Sequence, residues 1–141
     1  MAGILYIVPT PVGNLEDMTF RAIRVLKEAD LILAEDTRTS SVLLKHYDIK
    51  GRLESHHKFN EHKTASMIKE RILAGLNVAL ISDAGTPGIS DPGAVLVDVA
   101  RAAGHTIVPI PGACAFVSLA SVAGSGGKSL LFEGFLSPKP G

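Results

Sequence analysis

Four short stretches of this chain are almost wholly apolar: ILYIV at residues 4–8, LILA at 31–34, NVALI at 77–81 and TIVPI at 106–110. A strand with one wet face alternates apolar and polar side chains, whereas an unbroken apolar run suits a strand covered on both faces. Between the runs lie segments of helical period. Ala22, Val25, Leu26 and Ala29 fall at i, i+3, i+4 and i+7, on one face of a helix. Further helices are predicted over 41–47, over the segment carrying Ala65, Ile68 and Ile72, over 94–103 and over 116–122. Asn60 is placed to cap the helix of Ala65, which Gly75 stops, and Gly104 stops the helix at 94–103. A weaker strand is expected at 53–57 and a last one at 130–135. Buried strands alternating with helices predict an α/β fold, a three-layer domain with a mostly parallel sheet flanked by helices.

The 141 residues suffice for one domain with a proper core and are few for two. Hydrophobic residues at 46% and charged residues at 20% are those of a globular protein rather than a disordered one. Fourteen Lys+Arg balance 14 Asp+Glu, so no net field draws the chain to nucleic acid or to a membrane, although a local basic patch remains open. The single cysteine, Cys114, cannot form an internal disulfide, which fits a reducing compartment. The apolar N-terminus lacks a basic n-region and meets Pro9 too soon for a signal peptide. No apolar run approaches the ~20 residues that span a bilayer. These features predict a soluble, cytoplasmic protein without membrane contact, and no metal site is expected.

In an open parallel sheet, ligands bind beyond the carboxyl ends of the strands. Four segments fall there: 9–14, 35–38, 82–93 and 111–115. The first strand runs into PTPVGN, which excludes the Gly-x-Gly-x-x-Gly fingerprint of dinucleotide binding. A P-loop ending at Gly127-Lys128-Ser129 would need glycine where Val122 stands, so that motif is excluded too. The segment 82–93, SDAGTPGISDPG, is long, acidic and rich in turn residues, with no basic side chain. Such a loop makes a poor phosphate cradle and a reasonable seat for hydroxyl or cationic groups. Asp83 at the strand end can accept hydrogen bonds from a ribose or an amino group, and Gly85 and Gly88 allow close backbone approach. The alternative is that Asp83 and Asp91 only cap turns through Asx hydrogen bonds.

Several of these segments carry a resemblance. VPTPVGNLED at 8–17, AEDTR at 34–38, SDAGTPGISDPG at 82–93, PIPGA at 109–113 and FEGF at 132–135 resemble one subfamily of the tetrapyrrole-methylase superfamily. That subfamily is the bacterial small-subunit rRNA (cytidine-2′-O)-methyltransferases. The resemblance runs through essentially the whole chain, in order and at natural spacing. It implies an enzyme that uses S-adenosyl-L-methionine to methylate the ribose 2′-hydroxyl of a cytidine in 16S rRNA, within the small ribosomal subunit. It also implies a homodimer and a second α/β domain that completes the cofactor cleft. On that footing residues 1–136 form an N-terminal domain and 137–141 begin a linker, and the isolated chain is expected to be inactive.

The resemblance further implies site residues. Ser82-Asp83-Ala84 stands where the superfamily has a Gly-Asp-Pro turn, which makes Asp83 the leading cofactor contact. Thr86 is expected in the same pocket, Val12 is the equivalent contact of the first loop, and Cys114 and Ala115 are expected beside the adenosyl group. Cys114 as a catalyst is the weaker reading beside a small buried thiol. Methyl transfer to a ribose hydroxyl needs alignment and a proton acceptor. Asp36 and Arg38 are the catalytic candidates, a carboxylate and a phosphate-binding guanidinium, set against an Asp36–Arg38 pair that only holds the loop. His56 and His57 read as solvated loop residues before they read as bases. Arg38, Arg52, Lys58 and Lys63 together offer a modest RNA-facing patch. Two other functions stay open: methylation of a small tetrapyrrole on the same scaffold, and a non-catalytic folding or dimerisation half.

Overall fold

The computed structural model describes residues 1–90, 92–124, 126–136 and 138. Five strands and five helices alternate: β1 (Ile4–Ile7), α1 (Phe20–Glu28), β2 (Leu31–Ala34), α2 (Thr37–His46), β3 (Leu53–Ser55), α3 (Glu61–Leu73), β4 (Val78–Leu80), α4 (Ala94–Ala102), β5 (Thr106–Pro109) and α5 (Ala115–Val122). The strands form one sheet in the order β3-β2-β4-β1-β5, and every pairing is parallel. The expected mostly parallel sheet is therefore wholly parallel among the described residues.

The unbroken apolar runs are explained by what lies on each side of the sheet. Leu31 and Leu33 of β2, with Val78 and Leu80 of β4, pack against Ala65, Ile68 and Ile72 of α3 and Leu96 and Ala100 of α4. Their neighbours Ile32, Ala34, Ala79 and Ile81 pack on the other face with Ala22, Val25 and Leu26 of α1 and Leu43 and Leu44 of α2. Successive strand residues point to opposite faces, so two helix layers demand apolar residues at every position. The chain travels outward from β1 to β3 and returns through β4 to β5. With right-handed crossovers, that reversal puts α1 and α2 on one face and α3 and α4 on the other. Asn77 pins the amino ends: its Oδ1 accepts from Ile4 N at 3.0 Å and its own N–H donates to Asp30 Oδ2 at 2.8 Å.

Local signals decide the helix ends. Thr19 caps α1, its Oγ1 accepting from Ala22 N at 3.0 Å. The helix predicted over 41–47 begins earlier, at Thr37, because Asp36 Oδ1 accepts from Arg38 N at 2.9 Å and caps it. Asn60 precedes α3 as expected but makes no side-chain cap; its Oδ1 instead accepts from His57 N at 2.8 Å. The strand expected at 130–135 does not form; this apolar segment pairs with no strand among the described residues, and Phe132 instead stacks on Phe116 at 4.8 Å between ring centroids. Leu131, Phe135 and Leu136 stay exposed. Most of the expected linker, residues 137 and 139–141, lies outside the described residues. Among those that are described, no helix is long and apolar enough to cross a membrane.

Candidate functional site

Parallel strands deliver their following loops to one edge of the sheet, and hydrogen bonds knit four of those loops together here. Thr10, after β1, and Gly85, after β4, exchange both backbone hydrogen bonds, at 3.0 and 2.9 Å. Gly85 takes φ +82° to do so, a left-handed conformation that a side chain would strain. The buried Thr10 hydroxyl donates to Ser82 O at 3.0 Å, and the buried Ser82 hydroxyl turns back on Gly85 O at 3.1 Å. The Thr86 hydroxyl donates to Ala113 O at 3.0 Å, tying in the loop after β5. Pro9 leans on Gly112, where a Cβ would lie 3.0 Å from Pro9 Cβ. On the other side, Asp36 N donates to Asp83 Oδ1 at 3.3 Å. The register explains that last contact: Leu33 pairs with Leu80, so three residues further on Asp36 meets Asp83.

These loops border a cleft of about 840 Å³, within the usual range for small-molecule sites. Val12, Asp83, Thr86, Cys114 and Ala115, drawn from three separate loops, all line it. Ile89, Phe116 and Phe132 supply apolar wall, while Glu35, Lys58 and Glu61 add charge towards β3. With Asp83, three carboxylates and one ammonium face the cleft among the described residues. That balance favours a ligand carrying cationic and hydroxyl groups over one rich in phosphate. The first-turn amides of α5 begin at Ala115, and no intrahelical carbonyl satisfies them.

Asp36 and Arg38 are not among the lining residues. Asp36 caps α2 and pairs with Arg38 at 3.3 Å, and the Arg38 side chain is 91% exposed. The hydrogen bond from the Arg38 side chain, then that from its backbone N–H, hold the Asp36 carboxyl below the usual aspartate range. Two other expectations are corrected. Cys114 is half-exposed at the start of α5 rather than a buried thiol, and its side chain makes no capping bond. His56 is not solvated: it is 1% exposed, because β3 ends one residue before it and its N–H continues the sheet to Ala34 O at 2.8 Å. His57 is half-buried beside it. Of the four residues of the basic patch, Lys58 reaches the cleft, and Arg52 pairs with Glu54 at 2.9 Å. Asp91 lies outside the described residues.

Sequence reasoning brought the 35–38 stretch to the site but named Asp36 rather than Glu35 as its carboxylate, and it passed over Glu61 and Thr10 as site residues. Glu35 was findable, since it is the first residue past β2 and stands in register with Ser82. Thr10 gave no such signal, because its contribution is a buried hydroxyl inside a long-range bridge.

The sequence profile described as Tetrapyrrole (Corrin/Porphyrin) Methylases matches residues 4–129. "Ribosomal RNA small subunit methyltransferase I" of Pasteurella multocida (strain Pm70) is 51% identical over 139 residues, 99% of this chain and 50% of that protein. The protein of the same name from Escherichia coli O157:H7 is 50% identical over 137 residues, 97% of this chain and 48% of its own length. The chain thus spans about half the length of the curated relatives it matches. Among solved structures, uroporphyrin-III-C-methyltransferase from Thermus thermophilus superposes with a TM-score of 0.68 at 25% identity, covering 86% of this chain and 53% of that one.

Proposed function

Because the chain belongs to the tetrapyrrole (corrin/porphyrin) methylase family, we propose that it forms part of an S-adenosyl-L-methionine-dependent methyltransferase whose substrate is the ribose 2′-hydroxyl of a cytidine in 16S rRNA. The observation that carries this reading is the convergence of Val12, Asp83, Thr86, Cys114 and Ala115 on one cleft at the carboxyl edge of the sheet. The names of the relatives that are about half identical support the ribosomal substrate. The likeness to a uroporphyrin-III-C-methyltransferase supports a tetrapyrrole substrate more weakly, at half that identity.

The donor set suits the proposed cofactor. Asp83 matches a sulfonium or an ammonium, the amides opening α5 match hydroxyl or ring acceptors, and Val12, Ile89 and Phe116 match a flat apolar face. When bound, S-adenosylmethionine supplies a methyl group already activated by its positive sulfur. The chain's own work is to hold, orient and dry the site. The hydrogen bonds that knit the four loops keep that geometry fixed before any ligand arrives. Glu35, at the mouth of β2, is a second carboxylate positioned to take a hydroxyl proton, beside the Asp36 and Arg38 candidates. The same proposal divides the longer protein at residue 136, with 137–141 opening a linker to a second domain that completes the cleft, and has it work as a homodimer in the cytoplasm.

The test is transfer of labelled methyl groups to small ribosomal subunits lacking the modification, using a chain of the relatives' full length that contains this segment. Nuclease digestion should release labelled 2′-O-methylcytidine. The 141 residues alone should transfer none, since Phe135, on one border of the cleft, lies exposed where the second domain is proposed to complete it. Label in a base, or transfer to a tetrapyrrole instead, would contradict the proposal.

A further inference from the structure

The corner between β3 and α3 holds a buried histidine that the cleft chemistry does not use. His56 Nδ1 lies 2.7 Å from Thr64 Oγ1. The single proton of that hydroxyl is already given to Asn60 O at 2.9 Å. The hydroxyl oxygen therefore accepts, and Nδ1 carries the ring proton. His56 Nε2 is left as a buried lone pair with no partner among the described residues. Around the ring the corner is closely tied: Asn60 Oδ1 accepts from His57 N at 2.8 Å, and Asn60 N donates to His57 O at 3.0 Å. The loop so fixed carries Lys58 and leads into Glu61, and both side chains line the cleft.

We propose that His56 is a positioning residue, whose neutral ring beneath the β3–α3 corner holds Lys58 and Glu61 at the end of the cleft that receives the substrate. The inference rests on reading the cleft as the place where cofactor and RNA meet. Lys58 offers a phosphate a point charge and Glu61 offers a ribose or cytosine donor an acceptor, so the corner is suited to orient a nucleotide. The cofactor candidates Val12, Thr86, Cys114 and Ala115 belong to other loops and do not depend on it.

The device has a pH limit. Burial is the largest influence on His56 and disfavours its charged form; Glu61 opposes this, and His57 reinforces it. Just past β2, Glu35 follows the Ala34 carbonyl that anchors the His56 backbone. A histidine held below its usual value of 6.5 contributes stability above that pH. That contribution is lost as pH falls below it, because the open corner takes up the proton more readily. A proton on Nε2 would be a buried charge without an acceptor, so the corner opens to accommodate it.

Long-range ¹H–¹⁵N spectra and amide hydrogen exchange on the 141-residue chain test this directly. At neutral pH the His56 ring should be the Nδ1–H tautomer. Between about pH 7.5 and 5.5, opening at 57–61 should rise about fivefold or more relative to α1 after correction for intrinsic exchange. In His56→Phe that pH response should vanish. If that variant fails to fold, Thr64→Val, which removes the Nδ1 partner, should raise exchange at 57–61 throughout the range. An Nε2–H tautomer, or exchange at 57–61 that follows α1 at every pH, overturns the proposal. In the full-length enzyme, His56→Phe should raise KM for ribosomal subunits about threefold or more with cofactor affinity unchanged. An unchanged KM in an active variant overturns the positioning role, whereas absence of transfer by the wild type overturns the functional reading and leaves the exchange result standing.

Discussion

Replacing Asp83 by asparagine should weaken S-adenosylmethionine binding more than tenfold while leaving the melting temperature nearly unchanged. Asp83 follows β4 on the bared edge of the sheet, and its side chain is exposed to the cleft. Its hydrogen bond to the rest of the chain is weak, an acceptor at 3.3 Å for the backbone N–H of Asp36. Asparagine keeps an oxygen for that bond, so the fold loses little. A bound cationic or hydroxyl donor loses a charge-assisted hydrogen bond, which costs roughly 1.5–3 kcal/mol, and each 1.4 kcal/mol is about tenfold in affinity. Calorimetric titration beside a thermal melt, in a chain of the relatives' full length, separates the two effects. Equal affinity in a stable variant would return Asp83 to a turn-holding role.

The second large effect concerns the far end of the same loop. Gly93 stands before α4 with φ +147°, and a Cβ there would lie 2.9 Å from Leu80 Cδ2 and 3.3 Å from Gly88 N. Leu80 is fully buried between β4 and the α3–α4 layer, so it has little room to withdraw. Gly93→Ala therefore combines a backbone strain of about 1–3 kcal/mol with displacement of a core side chain. The melting temperature should fall by roughly 5–10 °C, and cofactor affinity should drop with it, since the strained loop carries Asp83 and Thr86. A melt within a degree of the wild type would show that the loop end adapts freely.

The strands were legible because a sheet covered on both faces leaves no polar position in them, and residues 31–34 and 78–81 show this plainly. The loops that hold the cleft were legible from topology, since strand ends and turn residues coincide at 82–93. What stayed hidden depends on distant partners. The run at 130–135 has the composition of a strand, but composition alone does not say whether a run pairs with a sheet edge or packs its side chains on a neighbour, as Phe132 does on Phe116. Reading 35–38 as a functional loop concealed the cap that Asp36 makes for α2, although Asp-Thr-Arg-Thr is an ordinary helix start. Nothing local distinguishes His56 from His57. Burial of the first comes from the sheet continuing to Ala34 and from Thr64 a turn into α3.

The central claim is that loops 9–14, 82–88 and 111–115 act together as the seat of the cofactor, and hydrogen exchange of the full-length protein with and without S-adenosylmethionine tests it most directly. Within residues 1–141, protection confined to these three loops and the first turn of α5 is the predicted result. Protection that leaves Gly85, Thr86 and Ala115 unaffected, in a protein that binds the cofactor, would contradict it.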